Sequence, residues 1–263
     1  MTTNINDVDD IFTNRSDLKI AVDLWISDES TALNTYGHIS NWDVSQVTDF
    51  SYLFDAATYF DSDISNWNVS SGNNFAGMFY FAESFNQDIG NWNVSSGTDF
   101  SGMFDGTHLF NQNISNWDVS IGTNFSSMFL DAKSFNQDIG TWDVSSVRDF
   151  VRMFYRAESF NQDLSNWAVN YEAFIDEMFF ESNLMIINQK VTPTPDRSYF
   201  IGPDHSAPAK PIITTTTSLT NDSTPTIEGT AEAGIILTLF ADGATTGITT
   251  ITDETTGAFT ITP

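Results

Sequence analysis

The chain has 263 residues, with 35 Asp and Glu against 9 Lys and Arg, for a net charge of −26. Such a field repels phosphate backbones and anionic leaflets, so nucleic acid is a poor candidate partner and is not expected; no run of about 18 apolar residues is present, so no membrane insertion of this segment is expected. There is no cysteine, hence no disulfide or thiolate chemistry, and 23 Phe with 7 Trp in so polar a chain require burial.

Residues 1–14 read as a polar tail. Met1–Phe12 lacks the basic and apolar regions of a signal peptide, so export would use another route or the sequence would belong to a longer polypeptide. Residues 15–36 read as a capping helix. Leu18, Ala21, Val22, Trp25 and Ile26 keep helical spacing, with Ser16 or Asp17 as N-cap.

Residues 37–188 repeat with a period of 25. Trp42, Trp67, Trp92, Trp117, Trp142 and Trp167 mark the step. Phe60, Phe85, Phe110, Phe135 and Phe160 keep it, as do the columns starting at Ile39, Val44, Phe50, Met78 and Phe79. These columns are candidate core. In each unit, Phe100, Met103, Phe104 and Thr107 and their counterparts predict a short helix, with Thr98, or Thr48, Asn73 and Thr123, as N-cap. Gln87–Ile89 predicts a short strand. One strand and one helix per unit predict an α/β solenoid whose parallel neighbours are joined by right-handed crossovers. The register fails after Trp167, and Leu184–Ile187 reads as a last strand.

Residues 189–210, with Pro193, Pro195, Pro203 and Pro208, read as an extended linker. Residues 211–263 carry five short alternating runs, at 211–215, 225–230, 235–240, 247–252 and 258–262, separated by turns such as Asp242-Gly243 and Thr256-Gly257. A full Ig-like sandwich needs about seven.

The units, with Phe-Asn-Gln-Asp-Ile (Phe85–Ile89), then Trp92-x-Val94-Ser95 and Met103-Phe104, resemble the BspA-like family of bacterial surface proteins built from leucine-rich-repeat-like units. The segment Leu219–Gly234 with Leu239–Gly243 resembles the Ig-like repeats of large bacterial adhesins. Phe100 and Phe125 stand where the first family commonly has Met. The resemblances imply a right-handed, leucine-rich-repeat-like solenoid followed by a partial Ig-like domain. They imply a cell-surface or secreted location, and as partner a protein or glycan of a host or neighbouring cell. No catalytic residues carry over.

The residues themselves point away from catalysis. His38, His108 and His205 are isolated and off metal-binding spacing, no serine has a nucleophile-elbow setting, and paired carboxylates recur in every unit. Two features have functional readings. Asp63, Asp88, Asp138 and Asp163, with Asn113 between, form a column that would hold calcium or accept bonds from turn amides; calcium is the one cofactor the sequence leaves open. Arg148, Arg152 and Arg156 form a basic stripe that would bind an anionic partner or pair with acids such as Asp99, Asp131 or Glu181. The most variable columns place Tyr80, Phe81, Leu130 and Tyr155 near Arg152 and Arg156, where they would form an aromatic-plus-arginine patch of the kind common at interfaces or merely lie over the neighbouring helix. The leading expectation is a non-catalytic adhesion or protein-binding scaffold. The alternatives are a carbohydrate-binding module with Tyr80 and Tyr155 as platforms, or the accessory region of a larger surface enzyme.

Overall fold

The computed structural model describes residues 11–195, 197–200, 212–213, 227–230, 236–241, 244–251 and 258–261. Two compact units divide the chain, residues 1–202 and 203–263.

In the first unit the 25-residue period is a step in space. Parallel bridges join Asp49 to Asn74, Asn74 to Asp99, Asp99 to Asn124, Asn124 to Asp149 and Asp149 to Phe174. Each period is therefore one coil laid on the last. The core columns point inward, and every Trp from Trp42 to Trp167 is at most 4% exposed. Phe54, Phe79, Phe104, Phe129, Phe154 and Phe179 form a stack with centroids 5.3–5.6 Å apart and rings within 13° of parallel. Phe60, Phe85, Phe110, Phe135 and Phe160 lie against that stack at 3.9–4.2 Å. A lone coil would expose all of these rings, and stacking covers them.

The coils are made of turns, not of the predicted helix and strand. The backbone bonds explain this. Phe75, Gly77, Phe79 and Phe81 donate their amides to Asp99, Ser101, Met103 and Asp105 of the next coil, at 2.7–2.9 Å. The residues between them bond locally: Met78 to Phe75 and Tyr80 to Gly77 close turns, while Ala76 donates to the Asn74 side chain. Half of the amides a helix would need thus serve the next coil. To do so, each coil enters the left-handed region twice, at Tyr52 and Ala56, Gly77 and Phe81, Gly102 and Gly106, Ser127 and Asp131, Arg152 and Arg156, Glu177 and Glu181. Phe100, Met103, Phe104 and Thr107 are all fully buried, so helical spacing survives without a helix. Thr98 and Thr123 cap nothing; their hydroxyls reach carbonyls of the preceding coil.

At the predicted strand, side chains replace the ladder. The Asn86 amide donates to Asp61 Oδ1, and the amides of Asn111, Asn136 and Asn161 donate to the Oδ1 of the Asn one coil back. Gln87, Gln112, Gln137 and Gln162 cross the same gap through Nε2.

In the stretch from Phe75 to Phe81 and its counterparts the inter-coil amides all point to the next coil, so this stretch leaves carbonyls free in the first coil and amides free in the last, and both ends are capped. At the carbonyl end, Arg15 Nε donates to the Ser51 carbonyl and the Phe12 amide to Asp43. Residues 11–14 of the expected tail therefore join the stack, and residues 1–10 lie outside the described residues. Two helices replace the single predicted one: α1 (Arg15–Ser27), capped by Asn14 and not by Ser16 or Asp17, and α2 (Glu29–Tyr36), capped by Asp28. Leu18, Ala21, Val22 and Trp25 are buried as expected, whereas Ile26 is exposed.

At the amide end, Phe179 donates to the Pro193 carbonyl and Glu177 to Thr194 Oγ1. Val191 and Phe200 are buried. The first part of the expected linker is thus a cap, because prolines lack the donor that this end does not need. Residues 201–210 lie outside the described residues. The expected strand Leu184–Ile187 lies instead in helix α3 (Asn183–Asn188), which buries Met185.

The second unit contains β1 (Ile212–Ile213), β2 (Ile227–Thr230), β3 (Ile236–Ala241), β4 (Ala244–Ile251) and β5 (Ala258–Ile261). β1, β2 and β5 form an antiparallel sheet in that order, and β3 pairs with β4. Phe259 is buried between exposed Ala258 and Thr260, the alternation of a one-sided strand. The turns Asp242-Gly243 and Thr256-Gly257 lie outside the described residues.

Candidate binding surface

Most repeated polar residues are consumed by the stack. Asp63, Asp88, Asn113, Asp138 and Asp163 each accept, through Oδ1, the amide two residues on, at 2.9–3.0 Å. This is a turn-closing role that Asn fills as well as Asp. Two further columns, beginning at Asp43 and Asp49, do the same. The Ser65 and Ser165 side chains, then their amides, hold the Asp63 and Asp163 carboxyls below the usual range. Among the described residues, no group of three or more His, Asp and Glu side chains is arranged to hold a metal ion.

From Trp67 onward each repeat Trp makes a bond to the coil before it. Nε1 of Trp67, Trp92, Trp117, Trp142 and Trp167 donates to the carbonyl of Ile39, Ile64, Ile89, Ile114 and Ile139, at 2.8–3.3 Å.

The positions that vary from coil to coil flank the second left-handed turn. They lie along one edge of the stack, but in two patches. In the first, Tyr80 and Phe81 meet edge to face at 4.7 Å, with Tyr52 6.1 Å from Tyr80. Phe81 is 39% exposed. In the second, Tyr155 stacks on Phe180 at 5.0 Å, and Arg152 lies over the Tyr155 ring at 5.6 Å. Leu130 is half-buried between the two. Burial raises the Tyr80 phenol above its ordinary range, helped by the charge of Asp105.

Two of the three arginines of the basic stripe, Arg152 and Arg156, are paired with acids. Arg152 Nε donates to Glu177 at 2.6 Å, and Arg156 Nε lies 3.2 Å from Glu181 and 3.9 Å from Asp131. Arg148 bonds the carbonyls of Ser145, Ser146 and Val147. Acids on adjoining coils thus answer Arg152 and Arg156, at Glu177, Glu181 and Asp131.

What separates the patches is a polar cluster that the sequence reading missed. Asp105 stands in the column of Tyr80, Leu130, Tyr155 and Phe180, and it is only 8% exposed. Its Oδ1 and that of Asp131 are buried without a hydrogen-bond donor among the described residues. Burial, then the charge of Asp131, pushes the Asp105 carboxyl up to about 7. His108 lies 3.1 Å from Asp131 and 3.6 Å from Glu83. Asp55 stands in the same column but is exposed, so residue type alone did not mark Asp105 as buried. Elsewhere, His38 packs on Trp25 at 5.1 Å and bonds Ser40, and His205 lies outside the described residues.

A family model described as "Mycoplasma protein of unknown function, DUF285" matches the chain twice, over residues 28–120 and 96–192. The matches overlap over residues 96–120, the length of one coil. No curated protein and no solved structure matches the chain.

Proposed function

Since the chain belongs to this DUF285 family of repeat proteins without an assigned function, we propose that it is a non-catalytic binding scaffold, secreted or displayed on a cell surface, whose partner is a protein or glycan of a host or neighbouring cell. The coils wind as a right-handed solenoid akin to leucine-rich-repeat arrays, with turns in place of helices, and residues 211–263 are part of an Ig-like module.

One observation carries the reading. The repeated polar side chains close turns or bridge coils, whereas the residues that change between coils collect along one partly exposed edge. Stacking demands uniformity, so variation marks positions free to serve something else. Tyr155, with Arg152 over its ring and Arg156 alongside, is the part of the edge best suited to an interface.

The test is binding of the labelled chain to cells before and after protease or glycosidase treatment, beside Tyr155→Ala combined with Arg156→Ala. Binding is expected to be sensitive to one treatment and reduced at least about tenfold in the variant. Unchanged binding by a folded variant would move the contact to the turns carrying Asp88 and Asp138.

A further inference from the structure

Two buried carboxyls sit where the stack does not call for them. The column of Asp105 elsewhere holds Asp55, Tyr80, Leu130, Tyr155 and Phe180, and of its two aspartates only Asp105 is buried. Asp131 stands in the next column, where other coils have Ala56, Phe81, Gly106, Arg156 and Glu181. Oδ1 of each is buried without a donor among the described residues. A neutral Asp105 carboxyl brings an O–H, the donor that this spot lacks; an ionised one adds a second buried charge beside Asp131. Burial, then the charge of Asp131, accordingly holds the Asp105 carboxyl up at about 7. The other titratable groups around the pair are Tyr80 and Glu83 of the preceding coil, His108 of the same coil and Arg156 of the coil after Asp131. His108 and Arg156 lie against Asp131, and among the described residues neither bonds Asp105.

The backbone at Asp105 is also the best placed to give way. Among the described residues, this coil alone has glycine at both left-handed positions, Gly102 and Gly106, and glycine gains the most freedom on release. The Asp105 carbonyl accepts the Phe81 amide at 2.7 Å, and the Gly106 amide donates to the Leu130 carbonyl at 2.8 Å. One turn thus holds both neighbours along the varying edge. On either side of it Phe104 and Thr107 are fully buried, and Thr107 Oγ1 donates to the Phe79 carbonyl at 2.7 Å, which confines any opening to Asp105 and Gly106.

We propose that Asp105 and Asp131 form a proton-operated latch: with Asp105 neutral its turn stays closed on both neighbouring coils, and loss of the proton to solvent opens the turn and frees Phe81 on one side and Leu130 on the other. Closing is favoured in full below about pH 4 and loses that support as pH rises through 7, because the closed turn holds a proton that the open one has released. The latch is local, so the stacked Phe and Trp columns stay in place while the edge loosens. It stands independently of any partner of the edge that carries Tyr155.

The experiment is amide hydrogen exchange of the full chain at pH 5 and pH 8, corrected for intrinsic exchange rates. The Phe81 and Gly106 amides report on the latch. The Phe54 and Phe154 amides, which donate to Met78 and Met178 in coils away from it, are the reference. Protection of Phe81 and Gly106 is expected to fall at least about tenfold more than that of the reference amides between the two pH values. Asp105→Asn keeps the size and cannot ionise, so this difference is expected to vanish, whereas in His108→Gln it is expected to persist. Carboxyl-carbon NMR of the parent chain, which needs no variant to fold, is expected to give Asp105 a midpoint near 7. A midpoint in the ordinary carboxylate range, an equal loss of protection in every coil, or a pH response that survives in Asp105→Asn or disappears in His108→Gln would overturn the proposal.

Discussion

Trp117 Nε1 donates to the carbonyl of Ile89, 28 residues earlier, at 3.1 Å, and the same bond recurs from Trp67 to Trp167. The indole both fills the core and satisfies a buried carbonyl of the coil before. Trp117→Phe keeps most of the apolar volume and removes the donor. It is expected to cost about 1–3 kcal/mol in urea unfolding, the penalty for an orphaned buried acceptor. A loss near zero would show that the carbonyl finds another partner.

Phe104 lies in the stack between Phe79 and Phe129 and also faces Phe110 at 4.1 Å. Phe104→Ala therefore opens a cavity inside two ring columns. A destabilisation of about 3–5 kcal/mol is expected by chemical denaturation, and less than about 1 kcal/mol would mean the core lies elsewhere.

Ser127 has φ 56, where the two preceding coils have Gly77 and Gly102. A side chain in the left-handed region costs about 1–2 kcal/mol, partly offset by the lower entropy of non-glycine residues in the unfolded chain. Ser127→Gly is expected to raise the unfolding free energy by about 1 kcal/mol, and destabilisation of that size would contradict the assigned backbone.

Asp105 sets a pH dependence. Its carboxyl titrates at about 7 in the folded chain against an ordinary 3.8, so between those values the native state holds a proton that the unfolded state has lost. Its contribution is present in full below about pH 4 and disappears as pH rises through 7. The unfolding free energy is therefore expected to fall from pH 4 to 8 by on the order of 3 kcal/mol more in the parent chain than in Asp105→Asn. Asp43, Asp63, Asp118, Asp143 and Asp163 act in the opposite sense. Their serine-bonded carboxyls sit below the usual range, so the stability they give is lost as pH falls below about 4. Parallel pH profiles for the parent and Asp105→Asn would leave Asp105 ionised in the folded state.

The repeat, its core columns and the five strand segments of the second unit were legible because each is a pattern in apolar residues, which burial enforces directly. The turns were not. Phe100, Met103, Phe104 and Thr107 have the spacing of a helix, and only the destination of the amides, the next coil and not the residue four back, distinguishes the two. That destination depends on a neighbour 25 residues away. The roles of Asn86 and Gln87 were hidden for the same reason, since their bonds run between coils. Of the candidate site, the varying edge was legible and its chemistry was not. Arg152 and Arg156 read either as a free basic stripe or as partners of acids such as Asp131 and Glu181, and Glu177, the partner of Arg152, was not among the acids named.

The account holds that the 25-residue coil is the unit of folding, with its repeated residues committed to stacking. Excision of residues 113–137 joins Gln112 to Asp138, as Gln137 joins it in the parent chain, and removes one whole coil. Excision of residues 113–124 removes half of one. Urea unfolding of both, with small-angle scattering of the folded species, is the most direct measurement. The whole-coil deletion is expected to unfold in one cooperative transition and to be shorter by about 4.8 Å, while the half-coil deletion loses the core. If the two deletions behave alike, both collapsed or both folded, the coil is not the unit.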